Sequence, residues 1–196
     1  MIADLPPGWF MIVGALALPL MAEKSRPWAV LAITIASALL FWFGPRGDAG
    51  EWALFDVTLR AVRIDALSLP FGIVFHIAAI VSAIYAMHLS DVRQQMAGLI
   101  YAGAGIGACA AGDLITLFVF WELTAVSSVF LIWASDSETA YRAGMRYLVI
   151  QVTSGVLLLT GAIIQYVDTG SIVFGPADVD TVWELTPAGS LILAAL

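Results

Sequence analysis

The chain has 196 residues, of which 61% are hydrophobic and only 12% charged, and its mean hydropathy is +0.96. A soluble domain is about 45–50% apolar and about 25% charged, so the composition excludes that class and defines a polytopic, all-α membrane protein. The net charge of −7 excludes a nucleic-acid surface, which needs clustered Lys and Arg, and the lone Cys109 has no partner for an internal disulfide.

In chain order, six spans and the start of a seventh are predicted, at about 8–22, 28–43, 66–89, 94–111, 113–134 and 141–167, with an incomplete one at 187–196. The opening MIADLPPGWF lacks the positive region of a signal peptide, so span one is expected to be retained. Its Pro19 is tolerable in lipid because neighbouring helices satisfy the freed carbonyl. Glu23-Lys24-Ser25-Arg26 makes a turn, and Pro27 suits the first turn of span two. Gly44-Pro45 stops that span.

The loop that follows contains LFDVTLRAVRID, whose partial alternation and β-branched residues predict one or two short strands. The strand segment therefore falls between helices two and three, in a loop expected on the outer side. Arg60, Arg63 and Asp65 are placed at the water boundary beside span three. Span four reads GLIYAGAGIGACAAG, with Gly103 and Gly107 forming a G-x-x-x-G pair. Small residues let helices approach closely in lipid, so this span is expected to be a packed interior helix. Asp113 is a predicted N-cap for span five, and Ser137-Glu138-Thr139 is expected to begin span six. Residues 168–186 form an acidic loop with no Lys or Arg.

The cations set the orientation. Lys24, Arg26, Arg93, Arg142 and Arg146 fall on one side, against Arg46, Arg60 and Arg63 on the other, five of eight in all. The richer side is expected to be cytoplasmic, in the cell (inner) membrane, with the N-terminus outside.

Span five, DLITLFVFWELTAVSSVFLIW, carries one ionisable residue near its middle, Glu122. At 1.5 Å per residue Glu122 lies about 13 Å into a run that crosses a core about 30 Å thick. A carboxylate at that depth costs on the order of 3 kcal/mol to insert, and such groups face other helices or water and mark ion pathways. The alternative is a structural carboxyl that pins helices together. No residue at i±3 or i±4 can pair with it, so a counter-charge has to come from another helix. Glu122 is the main candidate for a proton pathway.

His76 lies near mid-depth in span three and is a weaker candidate, since a lone histidine on an apolar helix is more often a packing residue. Arg142 and Arg146 read first as interfacial anchors that snorkel to headgroups. Arg146, the deeper of the two, is the weaker candidate as partner to a buried carboxylate. Thr124, Ser127, Ser128, Thr153 and Ser154 either line a wet path or hydrogen-bond between helices. There is no metal-ligand spacing, no phosphate-cradling glycine loop and no nucleophile with a base, and no cofactor is implied.

GDLITLFVFWELTAVSSVFLI resembles the fifth-helix signature of the antiporter-like subunits of Mrp-type cation/proton antiporters, membrane-bound hydrogenases and respiratory complex I. RIDALSLPFGIVF resembles the start of that family's third helix, and YRAGMRYLVIQVTSGVLLLTGAIIQY its sixth. Among the branches, GDLITLFVFWELTAVSSVFLIWAS followed by YRAGMRYLVIQ looks most like the D-type branch of the Mrp antiporters. The resemblance implies that the family's buried fifth-helix glutamate falls on Glu122, where it acts with a lysine on a broken seventh helix to pass protons. It implies a single transmembrane domain over 1–196, equivalent to the N-terminal part of a longer subunit. The family's lysine and its second inverted repeat are missing, which points to a split or truncated product, or to a companion chain that supplies those helices. Expected partners are other membrane subunits, the lipid bilayer, protons and Na+ or K+, with no nucleic acid. The implied function is a proton half-channel in a multisubunit monovalent cation/proton antiporter. The alternatives are a proton-pumping membrane-arm subunit of a complex I-like enzyme or hydrogenase, and a non-translocating structural subunit.

Overall fold

The computed structural model describes residues 5–44, 46–54, 57–174 and 186–195, with backbone alone for 53, 54 and 57. Most of the acidic loop, 175–185, and Leu196 of the incomplete span lie outside the described residues. The elements are α1 (Trp9–Ala17), α2 (Arg26–Phe43), β1 (Gly47–Leu54), β2 (Val57–Ile64), α3 (Ser68–Tyr85), α4 (Val92–Cys109), α5 (Leu114–Trp133), α6 (Glu138–Thr169) and α7 (Pro187–Ala195).

Among the described residues, four helices are long and apolar enough to cross a membrane: Glu23–Phe43, Ser68–His88, Leu114–Trp133 and Glu138–Thr169. The expected six are not reached on this measure, for two physical reasons. α1 gives way at Leu18–Leu20 to a 3-10 turn, where Pro19 cannot donate a backbone hydrogen bond. α4 opens on Arg93-Gln94-Gln95 and is rich in glycine, which dilutes its apolarity. Both are nonetheless inside the bundle. Met11, Ala15 and Leu18 have no exposed surface and pack with Leu99 and Ile106 of α4.

The glycine pair of α4 serves two different neighbours. A Cβ on Gly103 would press on the Gly8 carbonyl and on Met11, at 2.8 and 3.0 Å, whereas one on Gly107 would collide with the Phe120 ring of α5. One turn apart on the same face of α4, the two glycines let the start of α1 and the Phe120 ring of α5 come close at successive levels. α5 then packs on α6, and α7 lies along α6, where Leu114, Leu158, Ala162 and Ile192 form a second core.

β1 and β2 form an antiparallel pair in which Asp48 faces Arg63 and Glu51 faces Arg60. The strand signal was visible only in the second strand. Gly47-Asp48-Ala49-Gly50 has poor strand propensity and is held by its partner rather than by its own residues. Val62 and Ile64 bury one face of β2 against Phe41 and Ala110, which seats the hairpin on the ends of α2 and α4.

The turn between α4 and α5 is gripped on both sides. Arg63 N–H donates to Ala110 O (2.7 Å) and Gly112 N–H to Arg60 O (3.0 Å), while Leu114 N–H donates to Ile172 O (3.1 Å) and Phe174 N–H to Gly112 O (3.2 Å). Asp113 sits at the centre of this junction with no accessible surface. It caps α5 as expected, accepting from Thr116 N–H at 2.7 Å, but it also takes Arg60 N–H of β2 at 2.7 Å.

Ser137 caps α6 by accepting from Ala140 N–H. Gly170 ends α6 at φ 73°, a left-handed position glycine adopts without strain. The result is a bundle with two unlike ends. One carries the hairpin and the gripped turn; the other carries Lys24, Arg26, Arg93, Arg142 and Arg146 at the starts of helices or the turns before them.

Candidate proton-pathway site

Glu122 sits on α5 two turns past its start, on the side that faces α6. Its residue is half-buried, and Oε1 is enclosed without a hydrogen-bond partner among the described residues. The carboxyl lies over Gly155 of α6: a Cβ built there would collide with Oε1 and with Cδ, and would touch Phe118 at 3.4 Å. Glu122 makes no ion pair among the described residues.

Arg146 does not supply the counter-charge. It is exposed near the start of α6, in the same stretch as Arg142, which pairs with Glu138 at 3.0 Å. Arg146 itself has no ion pair among the described residues. Its exposure at the cation-rich end fits an anchor that reaches the headgroups.

His76 is 3% exposed and fully engaged. Nδ1 lies 2.7 Å from Gly72 O, and Nε2 lies 3.1 Å from Ser37 Oγ of α2. The Gly72 carbonyl can only accept, so Nδ1 carries a proton and, in the neutral ring, Nε2 accepts from Ser37. Phe41 covers the ring at 5.1 Å between centroids. His76 therefore ties α3 to α2, while Glu122 works at the α5–α6 contact, with α4 between them. The structure does not bring the two residues together.

The hydroxyls divide in the same plain way. Thr124 and Ser127 return to carbonyls one turn back on α5, and Thr153 does so on α6. Two of them cross between helices: Ser128 Oγ lies 2.9 Å from Tyr147 Oη of α6, and Ser154 donates to Ala195 O of α7. Ser154 neighbours Gly155, so the carbonyl end of α7 reaches the level of Glu122.

A cavity of about 830 Å³ runs along α4 beneath α3, α5 and α6. Its walls are mainly apolar, but Gln95, Tyr101, Trp121, Thr124, Tyr147 and Gln151 line it. Two polar atoms in that wall, Gln95 Oε1 and Trp121 Nε1, are buried without a partner among the described residues. This feature was not legible in the sequence, because its lining comes from six helices and no local pattern encodes it. Among the described residues there is no cluster able to hold a metal ion.

A membrane-embedded, multi-pass helical bundle defines the class. The comparisons with known proteins place it more narrowly. Residues 111–195 match the family described as NADH:quinone oxidoreductase/Mrp antiporter, TM. The chain is 36% identical over 124 residues, 59% of its length and 15% of the relative's, to a Staphylococcus haemolyticus protein described as "Putative antiporter subunit mnhA2". It superposes on a chain of the Mrp complex from Dietzia sp. DQ12-45-1b with TM-score 0.81 and 27% identity, covering 96% of this chain and 22% of that one. The fold also matches a chain of the archaeal membrane-bound sulfane sulfur reductase, with TM-score 0.72 at 19% identity over 99% of this chain and 42% of that one. Over these stretches the chain is similar to antiporter-like membrane subunits of the Mrp and complex I type. It spans 15% of the length of that curated relative. The relatives carry the name mnhA2 and so do not single out the D-type branch.

Proposed function

We propose that this chain belongs to a multisubunit monovalent cation/proton antiporter and contributes a proton half-channel in which Glu122 is the proton-accepting carboxyl. The observation that carries the reading is the setting of Glu122: an acid midway along an apolar helix, pressed against a neighbouring helix, with an enclosed oxygen that no described residue satisfies. A carboxyl kept only to pin helices would be expected to hold a donor, because an unmet buried acceptor costs about 1–3 kcal/mol. One that exchanges a proton with a mobile carrier needs that position open.

The cavity supports the same reading. It has room for water and polar atoms to hold it, and it reaches Trp121 and Thr124, within one turn of Glu122. From Gln95, near the cation-rich end, it offers a wet approach from the side we assign to the cytoplasm. His76 stays a packing residue in this scheme and Arg146 a headgroup anchor. Partner subunits of the complex supply the remaining steps.

In the assembled complex, Glu122→Gln is expected to leave assembly intact and to abolish cation-dependent proton movement in vesicles. Wild-type transport in that variant rejects the relay, and failure to assemble favours a structural carboxyl. The family description also covers complex I-like enzymes. Neighbouring reading frames decide that alternative, since quinone- or iron–sulfur-subunit genes favour it and small Mrp-type membrane subunits oppose it.

A further inference from the structure

The geometry points to Gly155 as the positioning residue of the Glu122 carboxyl: the missing side chain on α6 is the seat in which that carboxyl rests. This rests on the proposed relay role of Glu122 and goes beyond it by naming what sets where the acid sits.

Glycine in the interior of a helix weakens it relative to alanine, so three glycines within α6 call for a reason. Each has a specific occupant. Gly144 receives the indole of Trp133, and Gly161 receives Ile192 and the Ala188 carbonyl of α7. Both are packing contacts between helices. Gly155 is different, because what it receives is a carboxyl, with Oε1 and Cδ of Glu122 inside the space a Cβ would need. Gly98 and Gly105 of α4 show the contrast, since a Cβ on either would meet nothing within 4 Å.

Three features make this contact a seat rather than a gap. Phe118, one turn before Glu122, closes the same space at 3.4 Å. Oε1 is shut away from solvent with no donor among the described residues, so no hydrogen bond fixes it, and shape alone does. The neighbouring Ser154 is tied to α7, which anchors this turn of α6 against a third helix. A methyl on residue 155 therefore has to move the acid rather than α6. A displacement of about 1 Å in a group that must meet a proton carrier is enough to slow transfer by about a hundredfold.

The test is a swap of volume, made in the full-length gene product within its native membrane complex. Gly155→Ala is expected to assemble, to lose cation-dependent proton transport by about a hundredfold, and to change the rate at which a hydrophobic carbodiimide labels Glu122. Glu122→Asp shortens the acid by one methylene and is expected to be impaired alone. Combined with Gly155→Ala it returns the volume to its original sum, and the double variant is expected to exceed both single variants in transport. If Gly155→Ala fails to accumulate, restored accumulation in the double variant supports the seat and continued loss overturns it. Wild-type transport and labelling in Gly155→Ala, with Glu122→Gln inactive, overturn the role of Gly155 and leave the relay standing. Full transport in Glu122→Gln overturns the relay itself.

Discussion

Asp113 has no accessible surface, and its carboxylate gathers the backbone N–H of Arg60, the backbone N–H of Thr116 and the Thr116 hydroxyl within 2.9 Å. As a cap it needs only the Thr116 amide. The Arg60 amide turns it into the bond between hairpin and bundle. Asp113→Ala strands both amides in a dry junction, and the expected loss is roughly 3 kcal/mol, read as a lower unfolding temperature in detergent. Asp113→Asn keeps the shape and one acceptor and is expected to fall between the two. The cap was readable from Gly112-Asp113 before an apolar run; its second partner was not, because Arg60 lies 53 residues away.

Asp65 behaves as a local clasp at the start of α3. The backbone N–H of Ser68, above all, holds its carboxyl below the ordinary value of 3.8, with the Ser68 hydroxyl, the Leu67 amide and Arg63 acting in the same direction against the opposing effect of burial. A depressed carboxyl stabilises the fold at pH above 3.8, and that stabilisation is lost as pH falls through its folded-state value. The thermal stability of the wild type is therefore expected to drop as pH is taken below 3.8, and Asp65→Asn is expected to flatten that part of the curve. At neutral pH Asp65→Asn is expected to be less stable than wild type.

Among the elements, α4 shows how glycine placement sets helix order. A Cβ on Gly103 meets backbone and Met11 of the α1 region at 2.8–3.0 Å, whereas Gly105 has open space. Gly103→Leu is expected to destabilise by about 1–3 kcal/mol through overpacking. Gly105→Ala is expected to be neutral or to gain up to about 1 kcal/mol from helix propensity. Parallel thermal melts of the two variants check this, and equal melts would remove the glycine faces as the cause of the packing. The G-x-x-x-G spacing announced close approach without saying to what. It serves two helices because the start of α1 and the Phe120 ring of α5 meet the same face of α4 at successive turns.

At the scale of the whole molecule, the bundle buries little of its spans. No more than 22% of the residues in each apolar window are buried inside the chain. The exposed remainder of α3 and α6, including Phe71, Ile77, Val81, Val149, Val156 and Val167, is apolar and suits lipid or neighbouring helices rather than water. The two ends differ in charge, and the positive end should face the cytoplasm. A chain with Cys109 replaced by Ala and a single cysteine at Glu51 is expected to react with a membrane-impermeant maleimide in intact cells. One at Glu138 is expected to react only after permeabilisation. The reverse pattern would invert the orientation and with it the side from which the cavity is filled.

Composition alone settled the solvent of this protein, because no soluble core could hold so much apolar surface. Apolar run length, breakers and caps indicated roughly where helices begin and end, since those are decided within a few residues by backbone hydrogen bonds and by residues such as Asp113 and Ser137. The left-handed stop at Gly170 came from the structure. Local order could also single out Glu122, because one acid in an apolar helix is conspicuous wherever it points. What it points at was decided only by tertiary structure: α6 turns Gly155 toward α5, His76 finds Ser37 on α2, and Arg146 stays at the surface. Those pairings join residues dozens of positions apart, and no local sequence rule carries the crossing of two helices.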